Sequence, residues 1–278
     1  MAKARLLSTS LATVFVIFSA VSVSSLAQIK AKIGATLTVT DFGSWKTVQK
    51  GIEFRTVGLE RSEPSQIIEL KLLRFDSRWI VPRVLHSSQF QLKGATVKSF
   101  AEKTGALAAI NANYFDEKGR PLAYLKTIEK EINPTVSKHS LYTGVFGVRD
   151  SVPFVTHRDS FQPAQVSEGL QTGPLLLNHS AFVDFTSGLG RYARRSVIGV
   201  DREGRLIIGV TDAVLGGVSF AELQELFTGA KWQLDTPDLL NLDGGGSTQL
   251  YVKAGKFEEW VAGTAEVPVA IGFFSKAS

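Results

Sequence analysis

The stretch from Arg195 to Asp212, "RSVIGVDREGRLIIGVTD", constrains the fold more than any other segment of this chain. It contains two runs in which apolar residues alternate, joined by "DREG". Alternation with a period of two is typical of half-buried strands, and a short polar turn between two such runs indicates a β-hairpin. Similar strand patterns occupy Ala35–Asp41, Ile52–Leu59 and Ser65–Phe75. The sequence therefore predicts that strands joined by hairpins dominate the fold.

Helices are predicted to be few and short. Thr96–Thr104 has apolar residues on one helical face, with Thr96 as the N-cap and Gly105 as the stop. Ser219 caps a second helix, and Glu222 completes a capping box three residues later. The expected fold is α+β, with large mixed or mostly antiparallel sheets and a few short helices. The polar segment from Glu129 to Ser140 is expected to form a loop or lid.

Residues 1–27 have the layout of a secretory signal peptide. Lys3 and Arg5 form a basic start, Leu11–Val23 is largely apolar, and "SLA" ending at Ala27 resembles a cleavage site. A transmembrane anchor is the alternative, but the apolar stretch is shorter than the ~20 residues that a span requires. We expect cleavage after Ala27, with residues 28–278 forming one domain without a stable membrane span. The product would be exported to a bacterial periplasm or cell exterior.

The composition excludes several kinds of site. The chain has no cysteine, so disulfides, thiol catalysis and cysteine metal ligands are unavailable. Its four histidines are not at metal-ligand spacing, and neither "HExxH" nor "GxSxG" occurs. The net charge of +5 includes no basic run with interleaved aromatics, so nucleic acid is not an expected partner. The sequence does not specify an oligomeric state.

The segment "NLDGGGSTQLYV", from Asn241 to Val252, allows two interpretations. Three consecutive glycines weaken a strand, so they need a reason. Asp243-Gly244 could be the tight turn of a hairpin between "LLNL" and "STQLYV". Alternatively, the glycines could let a ligand approach backbone amides beside the Asp243 carboxylate. The two interpretations are compatible.

Four other segments carry polar residues where strands or turns end. Asn111 and Asn113 lie in "INANYF", and Thr172-Gly173 precedes a proline in "LQTGPLLL". Arg191, Arg194 and Arg195 lie in "RYARRSVIG", and Asp212 ends the second strand of the predicted hairpin. Each of these features also has an ordinary structural explanation.

Taken in order with "NLDGGGST", these segments resemble the phosphodiester glycosidase family, to which N-acetylglucosamine-1-phosphodiester alpha-N-acetylglucosaminidase belongs. The resemblance covers roughly Ile68 to Phe274. "NLDGGGST" is its most specific motif, while "TGP" is weak alone. The family usually has aspartate-glycine-arginine where this chain has Asp212-Ala213-Val214, and it often has glycines at Ala112 and Asn113.

The resemblance implies hydrolysis of the bond between a sugar's anomeric carbon and a phosphodiester oxygen, giving a free sugar and a phosphomonoester. Asp243 would face the anomeric carbon as nucleophile or base, with Asp212 as the second carboxylate. Arg195 would bind the phosphate with its guanidinium fork, and Asn111 would bond a sugar hydroxyl or orient a carboxylate. The substrate-binding set is Gly244, Gly245, Gly246, Ser247, Thr248, Thr172 and Gly173.

The glycine amides are expected to cradle the phosphate as a nest. No cofactor is implied, although Asp212 and Asp243 could hold Ca²⁺ or Mg²⁺ through their oxygens. A metal-dependent phosphodiesterase is therefore one alternative function. The other is a non-catalytic carbohydrate-binding or assembly protein of the cell envelope, which the departure at Ala213-Val214 favours.

Overall fold

In the computed structural model, the described part of the chain forms three antiparallel sheets. The structure describes residues 31–33, 35–184, 190–229 and 234–276. The predicted signal peptide over residues 1–27 lies outside the described residues. The predicted α+β class, with large sheets and few helices, is confirmed.

The largest sheet has ten strands among the described residues, and strands are numbered here along the chain. Its order is β1-β2-β4-β5-β16-β15-β17-β13-β14, with β3 paired to β4. The strands are β1 (Ala31–Ile33), β2 (Leu37–Asp41), β3 (Lys46–Gln49), β4 (Ile52–Arg61), β5 (Gln66–Phe75), β13 (Leu175–Asn178), β14 (Ala181–Phe182), β15 (Ser196–Val200), β16 (Leu206–Asp212) and β17 (Asp238–Asn241).

Two smaller sheets pack against one face of the large sheet. The first has the order β19-β18-β7-β20-β6, and the second has the order β11-β10-β12-β8-β9. The first contains β6 (Ile80–His86), β7 (Ala108–Asn111), β18 (Leu250–Ala254), β19 (Phe257–Val261) and β20 (Val269–Ser275). The second contains β8 (Leu125–Lys126), β9 (Glu131–Asn133), β10 (Gly144–Arg149), β11 (Val152–His157) and β12 (Glu168–Thr172).

The two predicted helices are confirmed. α1 (Val97–Thr104) is capped by the Thr96 side chain and ends at Gly105 in the left-handed region, with φ of 73°. α2 (Phe220–Thr228) is capped by Ser219, and Glu222 closes the capping box. Short 3₁₀ helices span Ser87–Phe90, Arg158–Ser160, Pro163–Gln165 and Gly245–Ser247. No helix in the described part of the chain is both long and apolar enough to cross a membrane.

The predicted hairpin of β15 and β16 is also confirmed, because Ser196 to Val200 pair in register with Val210 to Leu206. Asp201 closes its turn. One carboxylate oxygen accepts from the amides of Glu203 and Arg205, and the other accepts from Nε of Arg205 at 2.7 Å. This short polar turn fixes the register of two central strands.

Both faces of the large sheet are buried. One face meets the two smaller sheets, and there Phe75 of β5 stacks on Phe273 of β20 with ring centroids 4.0 Å apart. The other face packs under α2, where Leu223 and Phe227 are fully buried. A helix that covers an apolar sheet face in this way removes both surfaces from water, which is the main favourable term in folding.

Three strand ends from two sheets meet where the glycine-rich segment lies. β17 ends at Asn241 and β15 begins at Ser196 in the large sheet, while β7 ends at Asn111 in the β18-containing sheet. The hairpin interpretation of "DGGGST" is wrong, because β17 and β18 belong to different sheets. The segment is instead a crossover that contains the 3₁₀ turn Gly245–Ser247.

Candidate functional site

Asn111 joins the two sheets at this crossover. Its Nδ2 donates to the carbonyl oxygen of Asp243 at 2.6 Å. Its Oδ1 accepts from Ser196 Oγ at 2.6 Å and from the amide of Gln249 at 3.0 Å. The residue is fully buried. Both polar atoms are bonded inside the protein, which favours the second of the two expected roles of Asn111, orienting a carboxylate, over a bond to a sugar hydroxyl.

Asp243 is held on its backbone and on its side chain. Its amide donates to the carbonyl of Ala112 at 2.8 Å, and its Oδ1 accepts from the amide of Gly244 at 2.9 Å. Burial raises the pKa of the Asp243 carboxyl above its ordinary value, although hydrogen bonds from Ser247 and Gly244 oppose the shift. A carboxyl with a raised pKa in a partly buried turn is a candidate for acid–base or nucleophilic chemistry.

The glycine turn does not form the expected nest from all three amides. The Gly244 amide donates to Asp243, and the Gly245 amide donates to the carbonyl of Arg194 at 2.9 Å. Both donors therefore have partners inside the protein, and the expected phosphate cradle stays a prediction. Gly245 has φ of +60°, a left-handed conformation that favours glycine. The space that a Cβ would fill at Gly246 holds the Thr264 hydroxyl at 2.6 Å.

The two hydroxyls after the glycines differ in their surroundings. Ser247 is buried and bonds the carboxylate of Asp243 through its side chain. Thr248 is fully buried, and its Oγ1 has no hydrogen-bond partner among the residues described. Ser247 is thus bonded to the candidate carboxylate. The Thr248 hydroxyl, which was expected to contact substrate, is buried.

Arg195 lies beside the turn, with its Cδ 4.0 Å from the position of a Cβ on Gly244. Its guanidinium stacks on Phe220 of α2 at 3.9 Å. Nε donates to the carbonyl of Val218 and Nη2 to that of Arg191, while Nη1 makes no hydrogen bond to the described part of the chain. Burial lowers the pKa of Arg195 to about 10, so the group is still a cation at neutral pH.

Gly173 provides a close approach between backbone segments. A Cβ there would lie 2.1 Å from the carbonyl oxygen of Leu141. Its own carbonyl accepts from Asn241 Nδ2 at 2.9 Å and from the Tyr114 hydroxyl at 3.1 Å. Gly173 was expected to contact substrate. In the structure, its carbonyl is hydrogen-bonded within the protein, and the Leu141 carbonyl fills the space beside its Cα. The neighbouring Thr172 is fully buried, with Oγ1 unpartnered among the described residues.

Two tyrosines complete the site and were not predicted. The Tyr114 and Tyr142 rings lie 5.4 Å apart, and the His139 ring lies 4.9 Å from Tyr142. Burial and the charge of Asp243 raise the pKa of both phenols, so each keeps its proton at neutral pH. Tyr114 belongs to the quoted "INANYF" segment, so its position beside the asparagines could have indicated a role.

Tyr142 lies in the segment 134–143, which overlaps the end of the predicted loop or lid, Glu129–Ser140. The Gln171 side chain bonds the amide and carbonyl of Ser137 and the carbonyl of Tyr142. Arg158 donates to the carbonyl of His139. The segment is therefore fastened to β12 and to the turn after β11. Sequence reasoning could not find these bonds, because they join residues that are distant along the chain.

Asp212 lies on the face of the large sheet that meets the β19-containing sheet, the same face as Ser196. It ends β16, and its carboxylate pairs with Lys71 Nζ at 3.0 Å, which also pairs with Glu259 of β19. The preceding Thr211 faces the other way, because its hydroxyl accepts from the amide of Arg195 at 2.7 Å. Successive side chains in a strand point to opposite faces. Asp212 and Asp243 have different partners, Lys71 for the first and the Gly244 amide for the second.

Ala213 and Val214, which depart from the family pattern after Asp212, have different surroundings. Ala213 packs under α2, but the Val214 side chain is 98% exposed. Within the described ranges, no three histidine, aspartate or glutamate side chains come together as ligands for a metal ion.

The fold and the site define an antiparallel α+β protein in which a partly buried aspartate, a glycine turn and an arginine meet at a junction of two sheets. The sequence profile of the phosphodiester glycosidases matches residues 104–274. The chain therefore belongs to the phosphodiester glycosidase family. No curated protein matches the chain significantly by sequence.

Solved structures show the same fold. The catalytic domain of zebrafish N-acetylglucosamine-1-phosphodiester alpha-N-acetylglucosaminidase, auto-inhibited by its pro-peptide, superposes with a TM-score of 0.63 at 15% identity, covering 86% of this chain and 88% of that domain. A hypothetical protein from Synechocystis gives 0.60 at 18% identity, covering 82% of this chain. This chain spans 62% of the Synechocystis protein. A Burkholderia pseudomallei protein described as exported gives 0.51 at 12% identity, with 75% of this chain and 74% of that chain covered.

Proposed function

We propose that this protein hydrolyses the glycosidic bond of a sugar-1-phosphodiester, releasing a free sugar and a phosphomonoester. The observation that carries the proposal is the meeting of Asp243, the glycine turn and Arg195 at one sheet junction. Membership of the phosphodiester glycosidase family supports the same reaction class.

Asp243 is the group that we place opposite the anomeric carbon. In the reaction, a bond forms between water oxygen and the anomeric carbon, and the bond from that carbon to the phosphodiester oxygen breaks. The electron pair leaves with the phosphomonoester, which is a good leaving group and needs little protonation. Asp243 either accepts the proton of water or attacks first, and the anomeric configuration of the released sugar distinguishes the two routes.

The phosphate is assigned to the cationic side of the site. Arg195 has Nη1 without a bond to the described residues, and its Cδ lies 4.0 Å from the position of a Cβ on Gly244, in the turn that carries Asp243. A guanidinium that already bonds two carbonyls is fixed in place, so contact with a phosphate oxygen needs no reorganisation. The cation would stabilise the negative charge that builds on the leaving group.

Tyr142 is proposed as the group that takes the place expected of Asp212 near the substrate. Burial and the charge of Asp243 raise the pKa of the Tyr142 phenol, whose ring lies 5.4 Å from that of Tyr114. A protonated phenol can donate a hydrogen bond to a sugar hydroxyl or to a phosphate oxygen. Asp212 is proposed to have a structural role, through its ion pair with Lys71.

Isotope incorporation during hydrolysis tests the reaction. The protein is incubated with a panel of sugar-1-phosphodiesters, including an N-acetylglucosamine-1-phosphodiester, in ¹⁸O-labelled water. The masses of both products are then measured by mass spectrometry. Cleavage at the anomeric carbon places the label in the sugar, whereas cleavage at phosphorus places it in the phosphate. Label in the phosphate, lost on adding a chelator, would replace our proposal with a metal-dependent phosphodiesterase.

Asp243→Asn provides the residue-level test. We expect it to fold and to lose at least a thousandfold in kcat, because its amide can neither attack carbon nor accept a proton. Asp116→Asn is the matched control, since Asp116 bonds Arg120 at the surface and has no contact with Asp243. Equal activity of the Asp243 variant and the control would contradict the assignment.

Export is proposed as well. It rests on the signal-peptide pattern of residues 1–27 and on likeness to a fold that an exported protein shares. N-terminal sequencing of the protein recovered from the periplasm or culture medium is expected to begin at Gln28. Recovery of the chain in the membrane with its first residues intact would contradict cleavage.

A further inference from the structure

A second polar cleft lies at the same end of the β7-containing sheet as Asn111. His86 ends β6 and pairs with Val269, while Asn111 pairs with the adjacent Ala270 of β20. Two strand spacings separate β6 from β7, so the two residues are about 10 Å apart. The cleft has a volume of about 670 Å³, and its lining includes His86, Leu92, Lys93, Lys118, Arg120 and Leu122.

His86 forms part of the cleft lining and has an unpaired donor. Its Nδ1 accepts from the amide of Ser88 at 3.2 Å, and the Ser88 hydroxyl lies 2.7 Å away. An amide can only donate, so Nδ1 carries a lone pair and Nε2 carries the proton of the neutral ring. The residue is 9% exposed, and Nε2 has no hydrogen-bond partner among the described residues. A buried donor without an acceptor is destabilising, which favours a ligand that supplies an acceptor.

The charges around His86 indicate the kind of acceptor. Lys93 and Lys118 line the cleft, and neither forms an ion pair within the described ranges. Arg120 is instead paired with Asp116, whose carboxylate also accepts from the amides of Lys118 and Arg120. The charge of the Asp116 carboxylate is therefore balanced by Arg120, whereas the ammonium groups of Lys93 and Lys118 have no paired carboxylate among the described residues.

We propose that this cleft is a binding site for an oxyanion, a phosphate or carboxylate group carried by a larger ligand. His86 Nε2–H donates to one anionic oxygen, and Lys93 and Lys118 supply the charge. The exposed side chains of Leu92 and Leu122 contact the body of the ligand. The site is separate from Asp243 and does not depend on the proposed hydrolase activity.

Two substitutions of His86 separate ligand binding from local structure. His86→Asn keeps a side-chain oxygen near Nδ1 to accept from the Ser88 amide but removes the Nε2 donor. His86→Gln extends an amide donor toward the Nε2 position but lacks the Nδ1 acceptor. A purely structural histidine is better replaced by asparagine, whereas an anion-binding histidine is better replaced by glutamine.

Inorganic phosphate is titrated into the intact protein at neutral pH and constant ionic strength, and the backbone amide signals of Ser88 and Gly119 are followed by NMR. We expect saturable shifts in the wild type, at least tenfold weaker binding in His86→Asn, and a change below threefold in His86→Gln. Loss of one hydrogen bond to a charged group corresponds to about a tenfold change or more. Acetate in place of phosphate shows which oxyanion is preferred.

Lysine variants test the charge and remain informative if a His86 variant does not fold. Lys118→Gln is expected to weaken phosphate binding about threefold to tenfold. Lys256→Gln, in the β18–β19 turn at the opposite end of the sheet, removes the same charge and should leave binding unchanged. The proposal is overturned if phosphate and acetate both cause no saturable shift, if His86→Asn binds as the wild type does, or if both lysine variants weaken binding equally.

Discussion

The Asn111 side chain holds the Asp243 backbone across the junction of two sheets, with Nδ2 donating to the carbonyl oxygen at 2.6 Å. Asn111 also accepts from Ser196 in the large sheet and from Gln249 at the start of β18. One buried amide thus fixes both sides of the glycine turn.

Asn111→Asp is expected to lower the free energy of unfolding by about 3 kcal/mol and to abolish activity. The new carboxylate would face the Asp243 carbonyl without a donor, in a fully buried position. Urea denaturation and kcat measure the two effects. Asn133→Asp is the control, because Asn133 also bonds a carbonyl and an amide but is only half-buried. Similar losses in both variants would argue against a special role for Asn111.

The raised pKa of Asp243 has consequences for stability as well as for activity. Because the folded-state pKa exceeds the unfolded value, the carboxyl contributes stability at low pH that is lost as pH rises through the folded pKa. Asp243→Asn is therefore expected to unfold at a higher temperature than the wild type at pH 7. The difference should disappear at a pH below the unfolded value, where the wild-type carboxyl is protonated.

Asp116→Asn is predicted to show the opposite sign. Hydrogen bonds from Arg120 lower the pKa of Asp116, so its contribution is present at neutral pH and lost as pH falls through the folded pKa. Melting temperatures of both variants between pH 3 and 8 check the two signs. A decrease in the melting temperature of Asp243→Asn at pH 7 would show that the Gly244 and Ser247 hydrogen bonds outweigh burial.

The same raised pKa predicts the acid limb of the activity profile. Asp243 must be ionised to attack carbon or to accept a proton, so kcat/KM should fall with acidification through a pKa above that of an ordinary aspartate, about 3.9. The pH dependence of kcat/KM for the wild type measures it. An acid limb at or below the ordinary aspartate value would place another group in control.

Local patterns predicted the elements because each one has a short-range cause. The β15–β16 hairpin follows from alternation and a polar turn, and the α1 and α2 boundaries follow from Thr96 and Ser219 as caps. The exception is instructive. "DGGGST" has the local signature of a hairpin turn, but β17 and β18 are separated into different sheets by pairings that are distant in the sequence.

The site was predicted in part for the same reason. The family order brought Asn111, Asp243 and Arg195 to attention, and the structure places all three at one junction. The partner of Asp212 depends on how β16 is aligned with β5, where Lys71 lies. The order of the sequence motifs does not determine that alignment. Tyr142 reaches the site only through long-range bonds from Gln171 to its segment.

Glu222→Gln is expected to destabilise the protein by about 3 kcal/mol. Both oxygens of Glu222 accept from the fully buried guanidinium of Arg61 at 2.8 Å, and this pair joins α2 to β4. Neutralising one partner leaves a buried charge without compensation. Arg78→Gln is the control, since its pair with Asp76 is exposed and should leave the urea midpoint unchanged. Equal midpoints for both variants would show that the buried pair contributes little.

Gly173→Ala is expected to impair both stability and catalysis. The added methyl would collide with the Leu141 carbonyl, which belongs to the segment that holds Tyr142. Overpacking of this kind costs about 1–3 kcal/mol, and displacement of the segment should lower kcat/KM further. Gly190→Ala is the matched control, because no atom of the described residues lies within 4 Å of a Cβ there. A Gly173→Ala enzyme with wild-type kcat/KM would remove Tyr142 and its segment from the proposed site.

Arg195→Gln is expected to weaken inhibition by the phosphomonoester product at least tenfold. The Arg195 side chain approaches the turn, with Cδ 4.0 Å from the position of a Cβ on Gly244, and a hydrogen bond to a charged group is worth about 1.5–3 kcal/mol. The inhibition constant of the product, measured against a sugar-1-phosphodiester, reports this contact. Arg191→Gln removes an exposed charge from the same segment and is expected to change the constant less than threefold. Should the two variants weaken inhibition to the same extent, the phosphate would be held by the general field of the arginines and not by the Arg195 guanidinium.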